Sequence, residues 1–338
     1  MKNVITWLLE PLRYNSSPEE GEDTLYDRET MGDFVPVNSE PITTDTETKL
    51  FRPQSFIEYC GQTKAKAILE KYVEVSKTKN TSIPHTLIHG NAGCGKTTLA
   101  RLLAKERGCK FTELVASAIG SPYELVEIIK QNSGGIIFID ECHGLARRTA
   151  EWLYTIMEDF TFGGEKIPAF TLIGATTEYG EMLRNKKPFC DRFKLIIELE
   201  NYTTTEMEDI ISQYWTNVFP DIKVDFNTVS ILAKNSRLTP RIGIRLLDAT
   251  IYFDGAYDTV LNNYNIIKEG FTVKDLKVLN YLKVNNQAGL DSICGYLNTS
   301  RNNYVYEIEP YLLQMGVIIR TSTGRRITDV GIQFLAKI

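Results

Sequence analysis

Residues 90–97 read Gly90-Asn91-Ala92-Gly93-Cys94-Gly95-Lys96-Thr97, the spacing G-x-x-x-x-G-K-[ST]. Glycines in such a loop let successive backbone N–H groups converge on phosphate oxygens, and a helix starting at Lys96 adds its dipole. The pattern sends Lys96 to the β- and γ-phosphates of a nucleoside triphosphate and the Thr97 hydroxyl to Mg²⁺. Gly90, Gly93, Gly95 and Thr98 complete the expected cradle. A second stretch, Gly135-Ile136-Ile137-Phe138-Ile139-Asp140-Glu141, ends an apolar run in two carboxylates. Asp140, leaving the end of a buried strand, is expected to hold Mg²⁺ through water. Glu141 is expected to polarise an attacking water, which favours hydrolysis over transfer to an organic acceptor. ATP and Mg²⁺ are the cofactors this chemistry requires.

Both groups need a sheet whose strand ends lie side by side. Thr86–His89, Ile136–Ile139 and Phe170–Ala175 are short apolar runs of the kind found in strands covered on both faces. Leu99, Leu102 and Leu103 repeat as one helical face, and Ile68, Tyr72 and Val75 fall at helical spacing. Strands alternating with helices predict a parallel α/β sheet through about Leu199. After Tyr202 the pattern becomes helical. Thr205-Glu206-Met207-Glu208 reads as a capping box, with Ile211, Trp215 and Val218 along one face. Thr239-Pro240 opens a further helix, with Thr as N-cap and Pro in the first turn. Leu290, Ile293 and Leu297 mark one late helix; Val305, Ile308 and Leu312 mark another, where Pro310 bends the axis. Val317–Thr321, a Ser322-Thr323-Gly324 turn and Arg325–Thr328 read as a β-hairpin, giving a winged helix-turn-helix. The expected fold class is α/β: a P-loop NTPase parallel sheet, a small helical lid and a C-terminal winged helix. The expected domains are 49–203, 204–268 and 269–338, behind an acidic, disordered arm over 1–48.

The composition suits such a protein. Of 338 residues, 43% are hydrophobic and 24% charged, so the chain can bury a sizeable core. The formal net charge of −5 conceals a gradient. Residues 1–50 carry 4 basic and 11 acidic side chains, whereas residues 271–338 carry 8 basic and 5 acidic. A polyanion is therefore expected at the C-terminal end. The apolar stretch Val4–Leu12 is broken by Thr6, Glu10 and Pro11 and is too short for a membrane span or a signal peptide, so a cytoplasmic protein is expected. Six scattered cysteines without a C-x-x-C pair argue against a disulfide scaffold and a zinc site.

The order of motifs resembles the RuvB family of AAA+ branch-migration motors. The resemblance is carried by Arg52-Pro53, Gly61-Gln62, the phosphate loop, Asp140-Glu141-Cys142-His143, Met157-Glu158-Asp159-Phe160 and Phe170–Thr177. It continues through Asp191-Arg192-Phe193, Thr239-Pro240-Arg241-Ile242 and Glu309-Pro310-Tyr311-Leu312, and so covers about Phe51 to Ile338. It implies ATP-driven movement of Holliday junctions on double-stranded DNA by a ring of subunits, a hexamer. Thr176 then matches the first sensor of the γ-phosphate, Arg192 the arginine finger reaching the neighbouring subunit, and Arg241 the second sensor. Arg52 and Tyr202 match positions lining the nucleotide pocket. Arg320 and Arg325 match wing arginines placed on DNA, with Arg326 adjacent and Arg301 a further candidate. A surface ion pair for Arg192 and a core position at the domain junction for Tyr202 are the competing readings.

The match also departs from the family. RuvB carries a β-hairpin that docks on its partner RuvA, yet only nine residues, Thr161 to Ala169, separate Phe160 from Phe170. A protruding hairpin needs more length than that. A RuvA-like loader would then have to dock differently. Asn91-Ala92 stands where the family commonly has two prolines, and Lys186-Lys187-Pro188 precedes the finger. Together these mark a divergent member of the kind carried by a phage or mobile element. Two other functions fit a motor core of this type: a clamp-loader-like ATPase, disfavoured by the terminal winged helix, and a nucleotide-switched DNA-binding protein resembling origin-recognition factors.

Overall fold

The computed structural model describes residues 51–338; the expected acidic arm lies outside the described residues. Helix α1 (Thr63–Lys79) leads to strand β1 (Thr86–Gly90) and, through the phosphate loop, to helix α2 (Lys96–Arg107). Strand β2 (Phe111–Val115), helix α3 (Pro122–Gln131), strand β3 (Ile136–Asp140) and helix α4 (Arg147–Asp159) follow. A small hairpin of β4 (Thr161–Phe162) and β5 (Glu165–Lys166) precedes strand β6 (Thr171–Thr176). Helices α5 (Tyr179–Asn185) and α6 (Lys187–Cys190) then lead to strand β7 (Leu195–Leu199).

The long strands form one five-stranded parallel sheet in the order β2-β3-β6-β1-β7. Leu87, Ile88, Ile137, Phe138, Leu172 and Ile173 are fully buried, so the sheet is covered on both faces. Each such side chain contributes about 1.5–3 kcal/mol of transfer free energy. Because β6 lies between β1 and β3, the sheet sets Gly90, Thr176 and Asp140 along one edge. That edge is where ligands bind in open parallel sheets.

Two details differ from the expectations. In α1 the buried stripe is Ala65, Leu69, Val73 and Ser76, while Ile68 and Tyr72 are exposed. The narrower stripe fits the helix closely against the core, one position away from the apolar set read from spacing alone. A hairpin also forms in the short segment after Phe160, with two residues per strand turned at Gly163-Gly164. Its Phe162 ring lies back on Trp152 and Tyr123, with centroids 4.9 and 5.2 Å apart.

The lid comprises helices α7 (Thr204–Val218), α8 (Phe226–Asn235), α9 (Pro240–Tyr252) and α10 (Tyr257–Asn263). Its capping box is Thr203 with Glu206, not Thr205 with Glu208. Thr203 still has extended backbone angles, as an N-cap must, whereas Thr205 is already helical. Thr239 is the N-cap residue of α9 and Pro240 its first helical residue, but the Thr239 hydroxyl donates to the Arg237 carbonyl (3.1 Å) instead of capping. Met207, Ile211, Trp215, Leu232 and Leu246 join the same apolar cluster as Leu99 and Leu103, so lid and sheet domain share a core.

A hairpin of β8 (Ile266–Lys268) and β9 (Phe271–Thr272) leads into the C-terminal module, and the expected boundary at 268/269 falls at its turn. There follow α11 (Val273–Asn285), β10 (Gln287–Ala288), α12 (Leu290–Leu297), α13 (Arg301–Asn303), a π-turn (Tyr304–Ile308) and α14 (Glu309–Gln314). Strands β11 (Ile318–Thr321) and β12 (Gly324–Ile327) and helix α15 (Asp329–Ala336) complete it. The strands pair in the order β10-β12-β11, and the module has its own core around Phe271, Leu279, Ile293, Tyr304 and Leu312. Pro310 has no N–H for the preceding turn, and the chain accommodates it by winding Tyr304–Ile308 as a π-turn. Among the described residues no helix is long and apolar enough to cross a membrane.

Candidate active site

The phosphate loop is shaped by positions where a side chain cannot fit. Gly93 and Gly95 have φ of +78° and +95°. A Cβ on Gly93 would lie 2.8 Å from Thr239 Cγ2 and 2.9 Å from Arg241 Cβ, so the lid touches the loop itself. A Cβ on Gly95 would lie 2.6 Å from the Tyr59 hydroxyl. Lys96 is 6% exposed and donates to the carbonyls of Gly90 (2.9 Å) and Asn91 (3.1 Å). Burial pulls its ammonium below its ordinary value, against the opposing pull of Cys94, Glu141 and Asp140. A polyanion beside Lys96 would reverse that penalty, so the cradle and its buried cation fit a nucleotide's phosphates. Thr97 and Thr98 are half-buried in the first turn of α2.

At the neighbouring strand ends, Glu141 adopts φ of +47°, a conformation costly for a non-glycine residue and frequent at functional sites. Its amide donates to Asp140 Oδ1 (3.0 Å). Its carboxylate lies 3.2 Å from His143 Nδ1 and accepts the Thr177 hydroxyl at 3.2 Å. Thr176 is placed differently from expectation. Its side chain is fully buried, its hydroxyl accepts the Glu178 N–H (2.9 Å), and it lies 3.1 Å from His143 Nδ1. The strand's inside position falls on Thr176, so the next residue, Thr177, turns to the open side. Thr177 and His143 were both missed from the sequence. Strand alternation across the Thr-Thr pair was the available signal.

A cleft of about 1440 Å³ opens beside Glu141, lined by Asn91, Glu141 and Thr177 from the sheet domain, Arg241 from the lid, and Tyr306 and Arg320 from the winged helix, while Lys96, Thr97, Asp140 and Thr176 lie behind its wall. Arg241 is exposed and in no ion pair among the described residues. Arg52 and Tyr202 are not among the lining residues. Arg52 is exposed, whereas Tyr202 is 3% exposed and donates to the Cys94 carbonyl (3.0 Å) beneath the loop. Burial pushes the Tyr202 phenol up to about 12, so it stays a donor. Tyr59 supports the same carbonyl at 3.4 Å. Tyr202 thus holds the loop from behind, at the domain junction. Arg192 also stays outside this cleft. It pairs with Glu158 at 2.9 Å, its guanidinium lies 6.0 Å from the Tyr154 ring, and 34% of its side chain remains exposed.

The wing arginines differ most from expectation. Glu309 is fully buried, and its carboxylate accepts four hydrogen bonds: from Arg320 at 3.1 and 2.7 Å and from Arg325 at 2.6 and 3.2 Å. Burial works against the charge of Glu309, but the bonds from Arg325 and Arg320 outweigh it and hold the carboxyl below its ordinary value. Arg325 is only 16% exposed, so it is spent on this pair and not presented outward. Arg320 keeps 55% exposure, and Arg326 is exposed with no ion pair among the described residues. Arg301 forks an exposed carboxylate, Asp291, at 2.5 Å. All six cysteines are free, and no cluster of three or more His, Cys, Asp or Glu among the described residues is placed to hold a metal.

Comparison with known proteins agrees with this architecture. Residues 51–199 match the family model "Holliday junction DNA helicase RuvB P-loop domain", and residues 268–336 match "RuvB C-terminal winged helix domain". The RuvB subunit of the Holliday junction branch migration complex of Prochlorococcus marinus (strain MIT 9515) is 34% identical, over 85% of this chain and 88% of that protein. Its counterpart from Phytoplasma mali is 36% identical, over 85% and 93%. The solved Thermotoga maritima RuvB Holliday junction branch migration motor superposes with a TM-score of 0.74 at 31% identity, covering 84% of this chain and 98% of that one. The Aeropyrum pernix ORC2 protein reaches 0.54 at 14% identity, a likeness of fold alone. With both terminal modules matched and a lid that touches the phosphate loop between them, the chain belongs to the RuvB family.

Proposed function

We propose that the protein is an ATP-driven double-stranded DNA translocase that moves Holliday junctions, working as a ring of subunits, a hexamer by family resemblance. The observation that carries this reading is the cleft walled by three modules, in which Glu141, Arg241 and Arg320 face one space. A nucleotide seated on the phosphate loop would lie at the sheet-domain end of this space, beside Glu141 and Arg241, with the DNA module forming its other wall. Lys96 and the loop N–H groups bind the phosphates, and Glu141, held by Thr177 and His143, takes the proton of the attacking water. Arg241 couples the lid to the bound phosphates. Arg192, outside the cleft and paired with Glu158, is the group offered to the next subunit.

Thr97 and Asp140 are the residues that would hold Mg²⁺. This ion usually keeps several waters, so the Thr97 hydroxyl, phosphate oxygens and waters held by Asp140 would suit it. The ion would neutralise charge on the phosphates, while the protein's task is to orient water and triphosphate. On the DNA side, Arg326 and the exposed part of Arg320 supply phosphate contacts, which position a duplex without reading its sequence. The shortened hairpin, with Phe162 folded onto Trp152 and Tyr123, offers little to a RuvA-like loader, so loading would use another surface.

The test is ATP hydrolysis with and without four-way junction DNA, together with strand separation from that junction. A motor shows DNA-stimulated turnover and releases strands. A protein that binds junctions tightly but releases no strands under ATP would be a nucleotide-switched binder instead.

A further inference from the structure

The loop between α8 and α9 contains two successive non-glycine residues in the left-handed region, Arg237 (φ +53°) and Leu238 (φ +54°). Such a conformation persists where the surroundings over-determine it. Here the surroundings belong to the other module. Arg237 Nε donates to the Gly270 carbonyl (2.9 Å), one Nη to the Glu307 carbonyl (3.2 Å) and the other Nη to the Asp275 carboxylate. The guanidinium also lies 4.7 Å from the Tyr311 ring centroid. One planar group from the lid thus holds the β8–β9 turn, the first turn of α11, the π-turn and α14.

The joint is sealed from both sides. Asn235 Oδ1 accepts the Gly270 N–H (3.0 Å), so the lid holds both polar groups of that peptide residue. Tyr311 donates from the winged helix to the neighbouring Glu269 carbonyl. Gly270 has φ of +77°, and a Cβ there would lie 3.1 Å from both Arg237 Cγ and the Tyr311 hydroxyl. Asp275 is fully buried, and it also caps α11 in a reciprocal box with Thr272. A buried carboxylate of this kind requires a matched cation, and a lysine cannot reproduce the three directed bonds of the guanidinium.

Four residues beyond Arg237, Arg241 lies against Gly93 of the phosphate loop. The segment that leads into α9 therefore has one arginine on the nucleotide side and one reaching into the winged helix. We infer that Arg237 is the positioning residue that makes the lid and winged helix move as one body, so that a lid shift begun at the phosphate loop reaches DNA undiminished. The inference rests on the motor reading above for its consequence in DNA movement, but the coupling itself is measurable without it.

The experiment uses full-length Arg237→Lys and Asp275→Asn. It follows amide hydrogen exchange over residues 271–285 with and without ATPγS, basal and junction-stimulated ATPase, junction affinity, and strands separated per ATP. The expected variants keep ATP KM and junction Kd within about twofold of the parent. They lose the nucleotide-dependent change in exchange over 271–285, and strands separated per ATP fall about tenfold. A nucleotide-dependent exchange change as large as the parent's, or undiminished separation per ATP, would overturn the inference. So would a parent protein whose exchange over 271–285 ignores nucleotide. A parent that shows the exchange change yet separates no strands would leave the coupling standing and remove the motor reading. Should Arg237→Lys fail to fold, Asn235→Ala, which removes one of the two lid bonds to Gly270, must show a partial loss of the same exchange signal, and an unaltered signal counts against the coupling.

Discussion

Thr177 donates its hydroxyl to the Glu141 carboxylate across 3.2 Å, while its neighbour Thr176 is turned fully inward. The residue that steadies the Glu141 carboxylate is therefore one position beyond the end of β6, on the side open to the cleft. Thr177→Val should lower kcat by about tenfold or more with ATP KM little changed, as expected when a general base loses its orientation. Thr176→Val should instead appear in the melting curve, because it removes the acceptor of the Glu178 N–H. Steady-state ATPase and thermal unfolding on the two variants make the comparison.

Gly93 permits the lid to sit on the phosphate loop. Gly93→Ala combines a positive φ with a Cβ inside contact distance of Thr239 and Arg241. The lid should be pushed off the loop and the ATP KM should rise about tenfold, with the internal packing of the winged helix intact. Nucleotide titration monitored by protection of α9 from exchange reports it.

Glu309 binds the wing through two arginines. Glu309→Gln leaves two cations facing an uncharged amide, and the winged helix should lose about 3 kcal/mol, the scale for breaking a buried pair. The carboxyl is held below its ordinary value of 4.5, so its stabilisation is complete above that pH and is lost as pH falls through the lower folded value. Acid titration of the parent, followed by exchange in β11 and β12, should show the wing loosening below pH 4.5, and Glu309→Gln should flatten that limb.

Arg325 and Arg326 are adjacent but face different surroundings. Arg326→Ala should reduce the salt slope of junction binding by about 1 and leave the melting temperature unchanged. Arg325→Ala should lower the melting temperature, since it strips Glu309 of a partner. Affinity measured across a salt series, with melting on the same preparations, separates the two roles.

The sheet, the phosphate loop and the acidic pair were readable from sequence because their signals are local: an apolar run, a glycine spacing, a carboxylate after a strand. The face of α1 was not, since Ile68, Tyr72 and Val75 are as well spaced as Ala65, Leu69 and Val73, and only the shape of the opposing surface decides between them. The capping box was displaced by two residues because Thr203 and Thr205 carry the same chemistry, and backbone direction after β7 selects one. The fate of Arg325 depends on Glu309, which the Glu309-Pro310-Tyr311-Leu312 motif marked without showing that it is buried against the wing. Long-range charge pairing of this kind is the part of the site that a single sequence conceals.

Two inactive variants, mixed, test the in-trans motor most directly. Glu141→Gln keeps its finger but lacks the base, and Arg192→Ala keeps the base but lacks the finger. Each alone should be inert. Mixed in the presence of junction DNA, they should regain ATP hydrolysis at boundaries where an intact Arg192 enters a site with an intact Glu141. A mixture as inert as its components, or an Arg192→Ala protein that hydrolyses ATP normally by itself, would contradict a nucleotide site completed by the neighbouring subunit.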